Sequence, residues 1–453
     1  MTDTPHAPSL KAVAEALLAA ATRAGADAAD ALAVDQTALS IEVRGGRLEH
    51  AERAEGVEAG LRVLVGRRQA TVAASDVRPA TLDEMAARAV AMARVAPEDP
   101  TVGLADAALL AADTDAGPLG LSDPGPLAEP AELEDLALRA EAAALAVPRV
   151  AQVIGAGASR SRRRLHLAAT NGFSAGYERS DSGLSCTALT GEGVGMERDW
   201  AAEVRIRRDD LPTPEDVGRL AGERAVARIG PRRPKTGAFP VLFDERISSS
   251  LIGHLLAAVQ GTAIARGASW LRDALGEQVL PSGLTVTEDP RRVRGPMSRP
   301  FDAEGLPTAA RDIVQDGVLT GWTLDLATAR KLGMDSTANA VRSPGGAPSP
   351  GVTNVDLTPG DRTRGDLIAE MGTGLLVTSM IGSTINPTTG DYSRGANGFW
   401  VENGVIGAPV NECTIAGNLR EMLMTLRPAN DARPHLSRRV PSLLVEGLTI
   451  AGD

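Results

Sequence analysis

The hydrophobic period changes near the start of the chain from that of a helix to that of a strand, and this change constrains the fold more than any other feature. Leu10, Val13, Ala14, Leu17 and Leu18 recur at the spacing of one helix face, with Ser9 placed to cap the run and Gly25 to stop it. From Ala31 the pattern becomes alternation. Leu39, Ile41 and Val43 interleave with Ser40, Glu42 and Arg44, Gly45-Gly46 turns the chain, and residues 57–65 alternate again. The reading is a helix followed by a meandering antiparallel sheet. Helical spacing returns over 81–96, 131–146 and 214–229, the last with Thr213 as cap and Pro214 at the first helical position. Strands are expected at 150–156, 164–169, 183–190 and 200–207.

The run Gly230-Pro231-Arg232-Arg233-Pro234-Lys235-Thr236-Gly237 breaks all periodicity. It divides the expected organisation into an N-terminal α+β domain (1–229), a linker (230–237) and a C-terminal domain (238–453). The second half opens with a strand at 239–243 and a helix at 246–259. Short strands follow at 317–326, 375–380, 398–401, 405–410 and 443–450. Many short strands with few helices point to a curved or barrel-like sheet, so the fold class is α+β with a β-rich C-terminal part.

Composition narrows the function. Only 2% of the 453 residues are aromatic, so the core is built from Ala, Val, Leu and Ile, and base-stacking or sugar-stacking platforms are disfavoured. Lys+Arg 47 against Asp+Glu 58 gives a net charge of −11, the wrong sign for a nucleic-acid partner. Cys186 and Cys413 stand far apart, which argues against a disulfide framework and for a reducing compartment. The polar residues 1–9, an apolar stretch interrupted by Lys11 and Glu15, and the lack of any 18-residue apolar run predict a cytoplasmic protein without membrane contact.

The five histidines, His6, His50, His166, His254 and His435, are each followed by Ala or Leu, never Glu, and the closest two are 44 residues apart. No helical zinc motif can be built from them, although a site assembled from distant His, Cys, Asp and Glu stays open. Ser159 and Ser185 lack the G-x-S-x-G turn that exposes a nucleophilic hydroxyl. Cys413 and Cys186 read as small buried fillers, the glycine runs 191–195 and 372–374 as turns, and His254 as a core or interface residue within an apolar helical run. The richest polar constellation is residues 390–404, where Asp391, Tyr392, Arg394 and Asn403 lie among glycines. Asn403-Gly404 suits a tight hairpin turn. The stretch reads either as a stiff turn with a satisfied polar network or as a functional loop.

The runs T-G-D-Y-S-R-G-A-N-G-F-W-V-E-N-G at 389–404 and P-V-N-E-C-T-I-A-G-N-L at 409–419 resemble the TldD/PmbA family, in its PmbA (TldE) branch. So do P-F-D-A-E-G-L-P-T at 300–308, D-G-V-L-T-G-W at 316–322 (read as a strand), A-R-K-L-G at 329–333, G-A-D-A-A-D at 25–30 and E-V-R-G-G-R-L-E at 42–49. The resemblance implies a cytosolic bacterial metalloprotease system, once named as a modulator of DNA gyrase. In it a TldD subunit and a TldE subunit pair to cleave unfolded peptides and trim leader peptides. It also implies that zinc sits in the TldD partner, on an H-E-x-x-x-H helix and a late Cys. The matching stretch here, residues 241–254, lacks that histidine pair, and the Cys-Gly position falls near Val440-Pro441.

The expectation is therefore a subunit with no catalytic residue, metal ligand or cofactor of its own, paired with a TldD-like subunit and an extended peptide. Asp391, Tyr392, Arg394 and Asn403 are its candidate substrate-cleft residues. Two alternatives stand beside it: a self-sufficient metallopeptidase or hydrolase with a dispersed site, and a non-enzymatic peptide-binding homodimer.

Overall fold

The computed structural model describes residues 9–452, so His6 and the N-terminal residues 1–8 lie outside the described residues. Helix α1 (Leu10–Ala24) begins where Ser9 Oγ accepts the Ala12 amide and ends at Gly25, whose φ of 90° only glycine adopts easily. The chain then enters β1 (Ala28–Arg44), β2 (Arg47–Val65) and β3 (Arg68–Ala74), followed by α2 (Pro79–Val95) and α3 (Pro130–Leu145). Strands β4 (Val150–Ala169), β5 (Ser174–Thr190) and β6 (Glu197–Arg205) and helix α4 (Pro214–Ala227) complete the first half.

The six strands form one curled antiparallel sheet in the order β3-β2-β1-β4-β5-β6. One of its faces carries two cores side by side. Helices α1 and α2 bury Val13, Leu17, Leu82 and Val90 with Leu61 and Val63 of β2, while α3 and α4 bury Leu133, Ala137, Ala140, Ala144, Val217 and Ala221 with Ala156, Leu184 and Cys186. The abundance of alanine has a packing consequence here. A Cβ at Gly218 would lie 2.0 Å from the Ala140 carbonyl oxygen, so α3 and α4 meet nearly backbone to backbone.

Residues 150–169, expected as two strands, form one of twenty residues. The polar Arg162-Arg163-Arg164 centre hides its β character in the sequence, yet these positions pair on both sides. Arg162 donates to the carbonyl oxygens of Asp123 and Gly125, and Arg164 pairs with Asp35.

The second half begins with β7 (Gly237–Phe243), α5 (Glu245–Ala258) and α6 (Gly261–Ala265). Short elements follow: β8 (Val286–Glu288), β9 (Arg311–Gln315), β10 (Val318–Leu319), α7 (Leu326–Leu332), β11 (Ala340–Val341), β12 (Ser349–Pro350), β13 (Val355–Leu357) and α8 (Arg364–Met371). Long strands β14 (Gly374–Ile385), β15 (Asp391–Glu402) and β16 (Val405–Asn418) come next, then α9 (Leu419–Met424), β17 (Arg427–Pro428), β18 (Arg438–Arg439) and β19 (Leu443–Ala451). The order β16-β15-β14-β7-β19 closes on itself through β16–β19 pairing, giving a five-stranded mixed barrel whose one parallel pair is β7–β14.

Two expectations are corrected here. Residues 390–404 are not a loop, because Asp391–Glu402 is a full barrel strand and only Asn403-Gly404, at φ 53° and 73°, turns the chain. Residues 317–326 are not a strand either. Asp316-Gly317 turns β9 into the two-residue β10, and α7 starts at Leu326.

The barrel half is held to the curled sheet by the segment at 300–308. Phe301 packs edge-on to Phe173 and Tyr177 of the sheet half, with ring centroids 5.0 and 5.6 Å apart. Asp302 accepts the amides of Glu304, Leu306 and Ala340 at 2.9, 3.0 and 3.1 Å, and Glu304 accepts the Leu326 amide at 2.9 Å at the start of α7. Close by, buried Asp30 of β1 lies between Arg62 of β2, at 2.5 Å, and Arg342 of the barrel half. No helix among the described residues is long and apolar enough to cross a membrane.

Candidate functional site

Strand β15 sends its polar residues to different places. Asp391 is exposed; hydrogen bonds from Thr389 Oγ1 (2.6 Å) and Asn418 Nδ2 (3.1 Å) hold its carboxyl below the usual range. Tyr392 points the other way and is only 2% exposed, its hydroxyl 3.2 Å from Met380 Sδ; burial pushes the phenol up to about 12, so it stays neutral. Arg394 donates through Nε to the Gly382 carbonyl at 2.7 Å. Asn403 is at the far end of the strand, about 40 Å along the chain from Asp391 at the rise of an extended strand. The four sequence candidates therefore do not form one clamp. Tyr392 and Arg394 share one end of the barrel, Asp391 faces away from Tyr392, and Asn403 serves the turn.

Near Tyr392 a second cluster assembles that the sequence did not suggest. Helix α5 starts with Asp244 as its cap and buries Ser248, Leu251, Ile252 and Leu255, which places His254 one turn before its end. The His254 ring meets Tyr392 edge-on at 5.9 Å, and its Nε2 is buried with no hydrogen-bond partner among the described residues. Burial first, and then the Arg394 and Arg438 guanidinium groups, push the imidazole below its usual pKa, so it is neutral at pH 7. Arg438, on β18, reaches over Gly253 so closely that a Cβ there would be 2.8 Å from its Nη1. Its charge is disfavoured by burial alone, with no carboxylate within ion-pair distance among the described residues.

Ser248 Oγ lies 3.3 Å from the Val440 carbonyl oxygen and donates to it. The helix 245–258 and the late segment at 440–441 are thus neighbours although 192 residues separate these two partners. Six residues along α5 from Ser248, His254 has around it the Tyr392 ring and the two guanidinium groups.

The other end of α5 is built from charge. Asp199 of β6 accepts from Arg246 at 3.2 Å and pairs with Arg228 at 3.1 Å, and Asp244 pairs with Arg364 at 3.0 Å. Glu203 of β6 meets Arg433 at 3.3 Å and His435 at 3.1 Å, and Arg433 also reaches Glu245 at 2.7 Å. Burial opposes the Glu203 charge, but hydrogen bonds from His435 and Arg205 outweigh it and take the carboxyl down to about 2. This lattice ties the curled sheet to α5 and to residues 433–439. Beside it a cavity of about 550 Å³ is lined by Trp200, Val204, Val293, Pro434, Leu436 and Arg439. The free edge of β6 is blunted, since Arg228, Arg224 and Arg205 donate to the carbonyl oxygens of Arg198, Trp200 and Val204.

Both cysteines are buried. Cys413 donates its thiol to the Ala396 carbonyl, and burial pushes it up to about 11; Cys186 is pushed to about 12. Among the described residues, no three His, Cys, Asp or Glu side chains converge as a metal site.

The comparisons with known proteins agree with one another. Three models of the PmbA/TldA metallopeptidase match in chain order: domain 1 at residues 29–93, the central domain at 123–229 and the C-terminal domain at 236–452. Metalloprotease PmbA of Escherichia coli O157:H7 is 36% identical over 94% of this chain and 93% of its own. The PmbA homologue of Haemophilus influenzae is 34% identical over 96% and 94%. Among solved structures, a candidate modulator of DNA gyrase from Bacteroides thetaiotaomicron superposes with a TM-score of 0.90 at 27% identity, covering 98% of this chain and 99% of that one. TldE of Thermococcus kodakarensis shares the fold, with a TM-score of 0.83 at 21% identity over 97% and 99%. The chain belongs to the PmbA/TldD metallopeptidase family, in its PmbA branch.

Proposed function

We propose that this chain is the zinc-free subunit of a cytoplasmic two-subunit metalloprotease, pairing with a TldD-type catalytic partner and completing the cleft that receives unfolded peptides and leader peptides. In this reading residues 1–229 and 238–453 are two units joined at 230–237. Zinc belongs to the partner.

The observation that carries the reading is the junction of α5 with residues 440–441, where the family resemblance would put the metal ligands. Ser248 is bonded to the Val440 carbonyl there, and the one imidazole, His254, lies beside Arg394 and Arg438. A divalent cation needs anionic or neutral donors arranged around it, and two guanidinium charges repel it. These residues do not fit zinc, and no step of catalysis is derived through a metal in this chain. What this chain's residues can do is bind and orient a peptide.

The test is the zinc content of the purified chain, with peptidase activity measured alone and after addition of a TldD-type subunit. Substoichiometric zinc, no activity alone and activity with the partner are expected. Stoichiometric zinc lost on substitution of His254, or peptidase activity of the chain alone, would favour a self-sufficient enzyme instead.

A further inference from the structure

We propose that Arg438 and Arg394 form a carboxylate-binding site that anchors the C-terminal carboxylate of a peptide. The idea deepens the function proposed above and names the part of the substrate this subunit holds. Among the described residues Arg438 is a half-buried guanidinium without a carboxylate partner, an arrangement that costs stability unless a ligand answers it. Successive residues of a strand face opposite ways, and β18 shows the contrast. Arg439 meets Asp356 at 3.6 Å, whereas Arg438 turns towards Gly253 and His254.

The surroundings keep this positive charge uncompensated. His254 is neutral and cannot serve as a counter-charge, and the Tyr392 phenol is neutral too. Of the four carboxylates on the same strands or their partners, Asp356 is engaged by Arg292 at 2.5 Å and by Arg439, Asp391 by Thr389 and Asn418, and Glu412 by Arg233 at 2.7 Å, while Glu402 is at the far end of β15 beside the Asn403-Gly404 turn. Arg394 donates its Nε to the Gly382 carbonyl and hydrogen-bonds the Tyr392 hydroxyl, and it makes no ion pair among the described residues, so its charge too is left for a ligand. A guanidinium presents paired N–H donors that match the two oxygens of a carboxylate. Gly253 is part of the site, because any side chain there would displace Arg438.

An Asp or Glu side chain of the peptide offers the same chemistry, so the experiment separates the two sources. The probe is an N-acetylated, fluorescein-labelled unstructured hexapeptide without acidic residues, as its free acid, as its C-terminal amide, and as an amide carrying one internal Glu. Binding to the full-length chain alone is followed by fluorescence anisotropy at physiological salt. Because neither partner nor metal is present, the outcome is independent of the zinc assay.

The free acid is expected to bind about tenfold more tightly than the amide, the scale of one charge-assisted hydrogen bond pair. Arg438→Gln and Arg394→Gln are each expected to abolish that preference, and Arg438→Lys to restore part of it. Arg394 is held by the Gly382 carbonyl and the Tyr392 hydroxyl and makes no ion pair among the described residues, so its variant reports on binding even if Arg438→Gln folds poorly. Equal affinity for acid and amide, or a preference that survives Arg394→Gln, would overturn the proposal. Binding of the Glu-bearing amide as tight as that of the free acid would overturn the C-terminal assignment.

Discussion

Glu304 provides a sharp test of how the two halves of the molecule are joined. Its carboxyl is buried at the start of α7, accepts the Leu326 amide and lies near Asp302 and Asp325. Burial, then the Asp302 charge, push it up to about 8 against the opposing pull of Arg62, so it carries a proton at pH 7. In the unfolded chain the same group ionises near 4.5. Between these values the folded state binds more protons than the unfolded state. Stability therefore falls as pH rises from 4.5 to 8 and levels off above, the opposite slope to that of a salt-bridged carboxylate. At about 1.36 kcal/mol per pKa unit the displacement sets a ceiling near 5 kcal/mol. Because Asp302 shares the same buried pocket, about 2–3 kcal/mol is the expected effect.

Glu304→Gln keeps an acceptor for the Leu326 amide but cannot ionise. In urea unfolding from pH 5 to pH 9, the variant is expected to gain about 2–3 kcal/mol relative to the parent across the range, with the gain complete by about pH 8. Parallel stability curves for the two proteins would refute the reasoning. They would mean that the carboxyl is ionised in the fold and answered by Arg62.

Arg342→Ala leaves the buried Asp30 with one partner in place of two, and about 3–5 kcal/mol should be lost in urea unfolding at pH 7. A loss under about 1 kcal/mol would show that the pair to Arg62 suffices. Gly218→Ala places a methyl against the Ala140 carbonyl and should cost about 1–3 kcal/mol by forcing α3 from α4; an unchanged thermal midpoint would show the helix pair to be looser than its geometry. With thiols pushed to about 12 and 11, Cys186 and Cys413 should resist a disulfide reagent at pH 8 in the folded protein and react fully in urea. Rapid labelling of either under native conditions would contradict their burial.

Much of the architecture was legible because local chemistry and tertiary packing agree. Ser9 and Gly25 bracket α1, Thr213 and Pro214 open α4, and Asn403-Gly404 turns β15 into β16, since caps and turns are satisfied by residues next to each other in the chain. The α+β class followed from the change of period, and the barrel-like second half from its many short strands with few helices. Where neighbours in space rather than in sequence determine a residue's place, the pattern misled. Arg162-Arg163-Arg164 looks like a break but is the middle of β4, because the residues that bond Arg162 and Arg164 come from distant loops and strands. Residues 390–404, rich in glycine and polar groups, look like a loop but form a strand whose register on β14 and β16 is set by backbone pairing.

The sequence alone determined that no zinc helix of the H-E-x-x-x-H kind can form, because such a site depends on two histidines at fixed local spacing. It also marked Tyr392 and Arg394. It could not bring Arg438 to Gly253, or Ser248 to Val440, because each contact depends on how β18 and its flanking segment pass over α5 once the barrel closes. Nor could it separate Asn403 from Asp391, since a continuous extended strand keeps apart residues that a loop would have brought together.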